Sequence, residues 1–204
     1  MPNKTSFEVM LNDISSRSPA PGGGSVSALS GCFGAALVSM VCNLSIGKKT
    51  FRDVENELNG VLSEAKILQN ELFDLSRKDI EAFNGVMVAL KMPDKEAKKD
   101  NLQKAYKDAV SVPLEVAERC LRVMELAQIT ILKGNQNAVT DSGVAALMAH
   151  AGLKGAVLNV KVNLISIDDE HFNNEKKAKI ENLERKAELI IGLVIERVVD
   201  SLSS

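Results

Sequence analysis

The sequence predicts an all-α fold, a single-domain multi-helix bundle with two central apolar helices. Three observations predict it. Alanine and leucine, both strong helix formers, supply 43 of 204 residues. Apolar positions recur at three- and four-residue spacing along nearly the whole chain, and glycine and proline clusters interrupt that pattern at only a few places. With 45% hydrophobic and 25% charged residues and no Pro/Gly/Ser-rich linker between apolar halves, residues 1–204 read as one domain.

A first helix is expected over residues 6–14, with Thr5 and Glu8 in capping-box spacing, ending before the breaker Pro19-Ala20-Pro21-Gly22-Gly23-Gly24. A second starts near Ser25 and runs to about Ile46, with Gly47 as terminator. Leu58, Leu62, Ala65, Leu68, Leu72, Leu75, Phe83, Val86 and Leu90 trace one stripe, so a long helix is expected over 51–90, closed by Pro93. Residues 94–133 are helical on both sides of Pro113, which either opens a new helix or kinks a long one. After Gly134, Thr140 or Asp141 caps a helix that is apolar all round over 142–165. Leu158, Val160, Val162 and Leu164 alternate with polar residues, but 128–132 is the only similar run, too little for a sheet; helix is the reading. A final helix over 168–199 carries Leu183, Ala187, Ile190, Ile191, Val194 and Val198 on one side and is expected outside the two apolar helices.

Composition excludes several functions. A net charge of −2 and seven aromatics leave no basic face with stacking rings for nucleic acid. Three cysteines without a CxxC pair, and no signal-peptide pattern, point to a reducing cytoplasm. With two histidines and no His/Cys cluster, no metal site is expected. No Walker loop, GxGxxG or GxSxG occurs. Residues 18–47 carry no charge, yet Ser27, Ser30, Ser39, Asn43 and Ser45 punctuate the run, so a core helix is preferred to a membrane span.

Asp79 is the sharpest chemical signal, because it occupies a core-facing slot on the stripe between Leu75 and Phe83. A carboxylate there is paired, with Arg77 or Lys78 for instance, or carries the raised pKa that suits a general acid/base at neutral pH. The three glycines before the second helix either form a turn or offer backbone N–H groups to an anion. Asn159 and Asn163 lie one turn apart on an apolar helix and need partners, which Asn43 or a heteroaromatic ligand could supply; His150 could join them.

Together, 18–25 (SPAPGGGS), Asn43 with Lys48-Lys49, Asp79 with Ala82-Phe83 and Met87, Gly134-Asn135-Gln136-Asn137 before Asp141, and Asn159-Val160 with Asn163 resemble the cyclodeaminase/cyclohydrolase family of tetrahydrofolate enzymes. The resemblance covers essentially the whole chain. It implies an all-α homodimer acting on a tetrahydrofolate derivative as substrate. The first implied reaction cyclises 5-formiminotetrahydrofolate to 5,10-methenyltetrahydrofolate with loss of ammonia. The alternative is hydrolysis of 5,10-methenyltetrahydrofolate to 10-formyltetrahydrofolate, and a reading of another class is a non-catalytic folate-binding or dimeric scaffold. It further implies Asp79 and Asp141 as catalytic residues, Asp79 as general acid/base. Asp141 would act with Asn135 and Asn137 on the reacting nitrogen or the pterin edge. Gly22, Gly23, Gly24 and Ser25, with Lys48 and Lys49, would receive the glutamate carboxylates, and Asn43, Asn159 and Asn163 would also bind substrate.

Overall fold

The computed structural model describes residues 6–203. Six helices form: α1 (Ser6–Ile14), α2 (Gly23–Ser45), α3 (Glu55–Leu90), α4 (Lys95–Lys133), α5 (Val139–Leu164) and α6 (Glu170–Leu202). No strand occurs among the described residues. Thr5, the expected cap of α1, lies outside them.

Most boundaries follow the punctuation. Gly47 adopts a left-handed φ of 81° just past α2, a conformation that costs an L side chain energy. Asp94 caps α4 by accepting the N–H groups of Glu96 and Ala97. Asp169 caps α6 through the N–H of Phe172. Two expectations need correcting. The long third helix begins at Glu55 rather than 51, because Lys49–Val54 is a 3-10 turn that sets half-buried Phe51 and Val54 on one side, against the core. Neither Thr140 nor Asp141 caps α5, because the 3-10 turn Gln136–Ala138 starts the coil earlier and Asn135 accepts the N–H of Asn137 at 3.1 Å.

Pro113 lies inside one continuous α4. Without an N–H at 113, the Ala109 carbonyl loses its helical donor. Asn163 of α5 supplies one instead, its Nδ2 donating to that carbonyl at 2.8 Å. The proline is thus tolerated because a side chain from the next helix repairs the ladder.

α4 packs against α2, α3, α5 and α6. The α6 helix packs on α4 and α5, so it covers one of the two apolar helices rather than both. Between α2 and α5, which run antiparallel, small residues let the backbones meet. Ser30 Oγ donates to the Met148 carbonyl at 2.6 Å. A Cβ on Gly152 would lie 2.6 Å from the Ser27 carbonyl oxygen and 3.1 Å from the Gly31 nitrogen, both backbone atoms that cannot turn aside. Gly152→Ala is therefore expected to destabilise the fold by about 1–3 kcal/mol. Gly60→Ala, on the exposed side of α3 with nothing within 4 Å of the added methyl, should instead stabilise by roughly 0.5–1 kcal/mol. Urea midpoints of the two variants check the contrast.

Both α2 and α5 are long and apolar enough to cross a membrane by composition, but the windows concerned are 61% and 50% buried inside the bundle.

Candidate functional site

The N-terminus of α2 stops short. Gly23 sits beside Asn159 of α5 and Ser25 beside Asp79 of α3, yet α3 continues to Leu90 and α5 to Leu164. The space that further turns of α2 would occupy is a cavity of about 440 Å³, within the range of small-molecule sites. Its walls are unequal. α3 contributes Ala82, Phe83, Val86, Met87 and Leu90, so the lower half of the predicted stripe faces the cavity rather than the core. The lining also holds Asn159 and Asn163 of α5 with Ser166 just beyond it, Tyr106 and Ala109 of α4, and Pro19, Ala20 and the glycines that lead into α2.

Asp79 is the sole ionisable carboxylate in this lining. It is half-buried, and burial holds its pKa above the usual carboxylate range, opposed by hydrogen bonds from the Ser25 hydroxyl and the Ser25 backbone N–H. The hydroxyl donates to Oδ2 at 2.9 Å. Arg77, a suggested alternative partner, faces Asp74 instead, at 3.6 Å.

Gly22, the extended residue before α2, offers no side-chain cap, and no acidic residue lies in the first turn. Asp79 fills that role from another helix. An anion is favoured at such a terminus, and here it is the protein's own carboxylate. A Cβ on Gly24 would fall on the Asp79 carboxylate, so that glycine is the condition for the contact.

Both amides are half-satisfied. Asn159 Nδ2 donates to the Gly155 carbonyl at 2.9 Å and Asn163 Nδ2 to Ala109, which leaves each side-chain oxygen for the cavity. Tyr106 was not anticipated from sequence. It is the single tyrosine, but no periodic pattern marks it, and only the packing of α4 beneath α3 and α5 brings it to the site.

Seven predicted residues therefore meet: Gly22, Gly23, Gly24, Ser25, Asp79, Asn159 and Asn163. The other six gather at the opposite end of the subunit. Asn43, Lys48 and Lys49 lie exposed at the C-terminal end of α2, and Asn137 is exposed at the α4–α5 corner, near half-buried Asp141. Asn135 ties these two groups together, its N–H donating to Ser45 Oγ at 2.8 Å and its Nδ2 to the Leu44 carbonyl at 3.3 Å. From Ser25 to Asn43 the helix rises about 27 Å, at 1.5 Å per residue. Asn43 does not partner Asn159 or Asn163, and His150 does not join them; it contacts Glu188 of α6 at 3.2 Å.

Other chemistries find less support. The three cysteines are free, none lines the cavity, and burial pushes the Cys42 thiol up to about 11. Among the described residues no group of three or more His, Cys, Asp or Glu side chains could hold a metal ion.

An all-helical bundle with a partly buried carboxylate set over a helix terminus, in an amide-bearing cavity, defines a domain equipped for acid–base work on a small polar molecule. Residues 6–182 match the family described as formiminotransferase-cyclodeaminase. A methenyltetrahydrofolate cyclohydrolase of Methylorubrum extorquens is 41% identical, over 100% of this chain and 99% of that protein. The formimidoyltransferase-cyclodeaminase of Sus scrofa is 32% identical over 94% of this chain, which spans 36% of that longer protein. Among solved structures, a formiminotetrahydrofolate cyclodeaminase from Thermotoga maritima superposes with a TM-score of 0.91 at 31% identity, covering 98% of each chain. The chain belongs to the formiminotransferase-cyclodeaminase family.

Proposed function

We propose that this chain acts on tetrahydrofolate-bound one-carbon units and hydrolyses 5,10-methenyltetrahydrofolate to 10-formyltetrahydrofolate. The observation that carries the reading is Asp79, a carboxylate with raised pKa held by Ser25 in a cavity walled by apolar side chains and two amides. Water adds to the methenyl carbon while Asp79 takes one of its protons. The resulting hydroxyl then loses its proton as the carbon–N5 bond breaks, and N5 is protonated, leaving a formyl group on N10 and one proton released overall. The apolar wall of α3 suits a flat ring, and the side-chain oxygens of Asn159 and Asn163 can accept from the N–H edge of a pterin. The relative from Methylorubrum extorquens, similar along its full length, supports this direction.

A second reading is carried by the Thermotoga maritima neighbour, which is also similar end to end. In it N10 attacks the carbon of the protonated formimino group of 5-formiminotetrahydrofolate, Asp79 carries the N10 proton to the departing nitrogen, and ammonia leaves with the positive charge retained on 5,10-methenyltetrahydrofolate. Asp141, Asn135 and Asn137 retain a substrate role only where a neighbouring subunit brings them to the cavity. The uncovered sides of α2 and α5 support a homodimer. We read the chain, 1–204, as one cyclodeaminase/cyclohydrolase-like domain, and its three free cysteines support a cytoplasmic location; the proton transfers described use side chains and water.

Purified protein given each folate separately tests the reading. Loss of methenyl absorbance with formation of 10-formyltetrahydrofolate is expected; appearance of methenyl absorbance with released ammonia would move the assignment to cyclodeaminase. Rates equal to the uncatalysed ones for both substrates would overturn it.

A further inference from the structure

Pro113 sits in the interior of α4, where a proline withholds a backbone donor and its ring crowds the carbonyl four residues back. That carbonyl belongs to Ala109, which lines the cavity. The donor it finds is Asn163 Nδ2, at 2.8 Å across the contact between α4 and α5. Because a carbonyl only accepts, it dictates the orientation of the amide: NH2 toward α4, oxygen toward the cavity that Asn163 also lines. Turning the amide over would set two oxygens against each other and leave the Ala109 carbonyl without a donor, at a cost comparable to a lost hydrogen bond.

The mounting around this amide is firm. Gln103 precedes Tyr106 and Ala109 at three-residue spacing on α4, its Nε2 donating to the Ser166 carbonyl at 3.0 Å and its Oε1 accepting the Asp168 N–H at 2.9 Å. The end of α5 is thus fastened to α4 at Asn163 and again just beyond the helix, so loss of the Ala109 bond frees the side chain rather than the helix. One turn earlier, Asn159 Nδ2 is engaged by the Gly155 carbonyl of its own helix at 2.9 Å. The cavity therefore meets two amide oxygens one turn apart, each set by a carbonyl behind it.

We infer that Pro113 is a positioning residue for the substrate: by withholding the helical donor from the Ala109 carbonyl, it reserves that carbonyl for Asn163 and fixes the amide oxygen toward the bound ring. The inference rests on the proposed function and deepens it, because an acceptor held at this place selects a ring edge that carries N–H donors and discriminates against one that carries a carbonyl. Any other residue at 113 supplies an N–H to the Ala109 carbonyl. The Asn163 amide then competes for its anchor, and rotation about its last side-chain bond exchanges oxygen for NH2 at the cavity wall. Helix propensity gives no reason for a proline in the interior of a 39-residue helix. The orientation of Asn163 gives one.

A double-mutant cycle tests it, with Pro113→Ala, which regains the N–H, Asn163→Ala, and the two combined. The first readout is affinity for tetrahydrofolate, titrated without turnover. Pro113→Ala should bind about three- to tenfold more weakly, the worth of one hydrogen bond, and should add little further loss to Asn163→Ala. Pro113→Val, which keeps most of the bulk of the ring, should match Pro113→Ala. In turnover the loss should fall on KM, with kcat within about twofold and the pH profile unmoved, because Asp79 is untouched. Wild-type affinity in Pro113→Ala or Pro113→Val, or losses that multiply in the double variant, overturns the positioning role. The second readout needs no ligand. Asn163→Ala orphans the Ala109 carbonyl in the wild-type chain but not beside Pro113→Ala, so it should lower the urea midpoint much less in the second background; equal shifts overturn the anchor. A wild-type protein that binds no tetrahydrofolate overturns the functional reading instead, and the urea cycle still decides whether Pro113 sets the Asn163 amide.

Discussion

Replacing Asp79 with asparagine is expected to lower kcat by about two to four orders of magnitude, the usual worth of a positioned acid–base group, while the helical fold persists. The amide oxygen can still accept from Ser25 Oγ, so shape and one hydrogen bond survive, while the titratable group is lost and the amide nitrogen cannot accept the second bond, from the Ser25 N–H. Stability gives an independent readout. Burial raises the folded pKa of Asp79 above its unfolded value, so the favourable contribution of the neutral carboxyl is complete below the ordinary carboxylate range. It is lost as pH rises through the raised folded pKa. At pH 7 the variant should therefore melt at or above the wild-type temperature, and the difference should close as the solution is acidified. Ser25→Ala extends the test, because removing a hydroxyl that favours the ionised form pushes the Asp79 pKa higher. If Asp79 works as a base, the acidic limb of the kcat/KM profile moves to higher pH. An unmoved limb, or an Asp79→Asn enzyme of wild-type rate, refutes the role.

What was legible in the sequence depended on the range of the interactions involved. Helix ends were legible where glycine or proline punctuates the chain, as at Gly47, Pro93 and Gly134. The 3-10 entries at Lys49–Val54 and Gln136–Ala138 were not, since tertiary packing of Phe51 and a side-chain bond from Asn135 decide them. Asp79 was legible because a carboxylate breaks an otherwise apolar stripe. Its partner is not legible: the adjacent cations Arg77 and Lys78 are the obvious candidates in sequence, while the donor is Ser25, 54 residues away. Asn163 was legible as a buried amide in need of a partner, and Pro113 as a fault in α4, but their mutual repair required knowing that α4 and α5 lie side by side. The division of candidate residues between two ends of the subunit was legible in principle. Ser25 and Asn43 on one helix must lie about 27 Å apart, and motif resemblance concealed that arithmetic.

Among the glycines of the turn, Gly24 should be indispensable and Gly23 dispensable. They are adjacent in the first turn of α2, and composition alone treats them alike. An added methyl at 23 would lie 3.7 Å from Asn159 Nδ2, an ordinary contact, and alanine forms helix better than glycine. Gly23→Ala should keep activity within a factor of a few and gain roughly 0.5–1 kcal/mol of stability. At 24 the methyl would occupy the place of the Asp79 carboxylate, which must then leave the helix terminus. That displacement removes both the N–H contact that caps α2 and the orientation of the acid–base group, so Gly24→Ala should lose about 100-fold or more in kcat, approaching the Asp79→Asn value. Combining the two separates positioning from a general disturbance. If the methyl acts through the carboxylate, Gly24→Ala/Asp79→Asn is scarcely slower than Asp79→Asn alone, a strongly non-additive cycle. Losses that multiply would mean that Gly24 serves the substrate directly, and that the close approach of Asp79 to the α2 terminus is a structural contact without catalytic consequence.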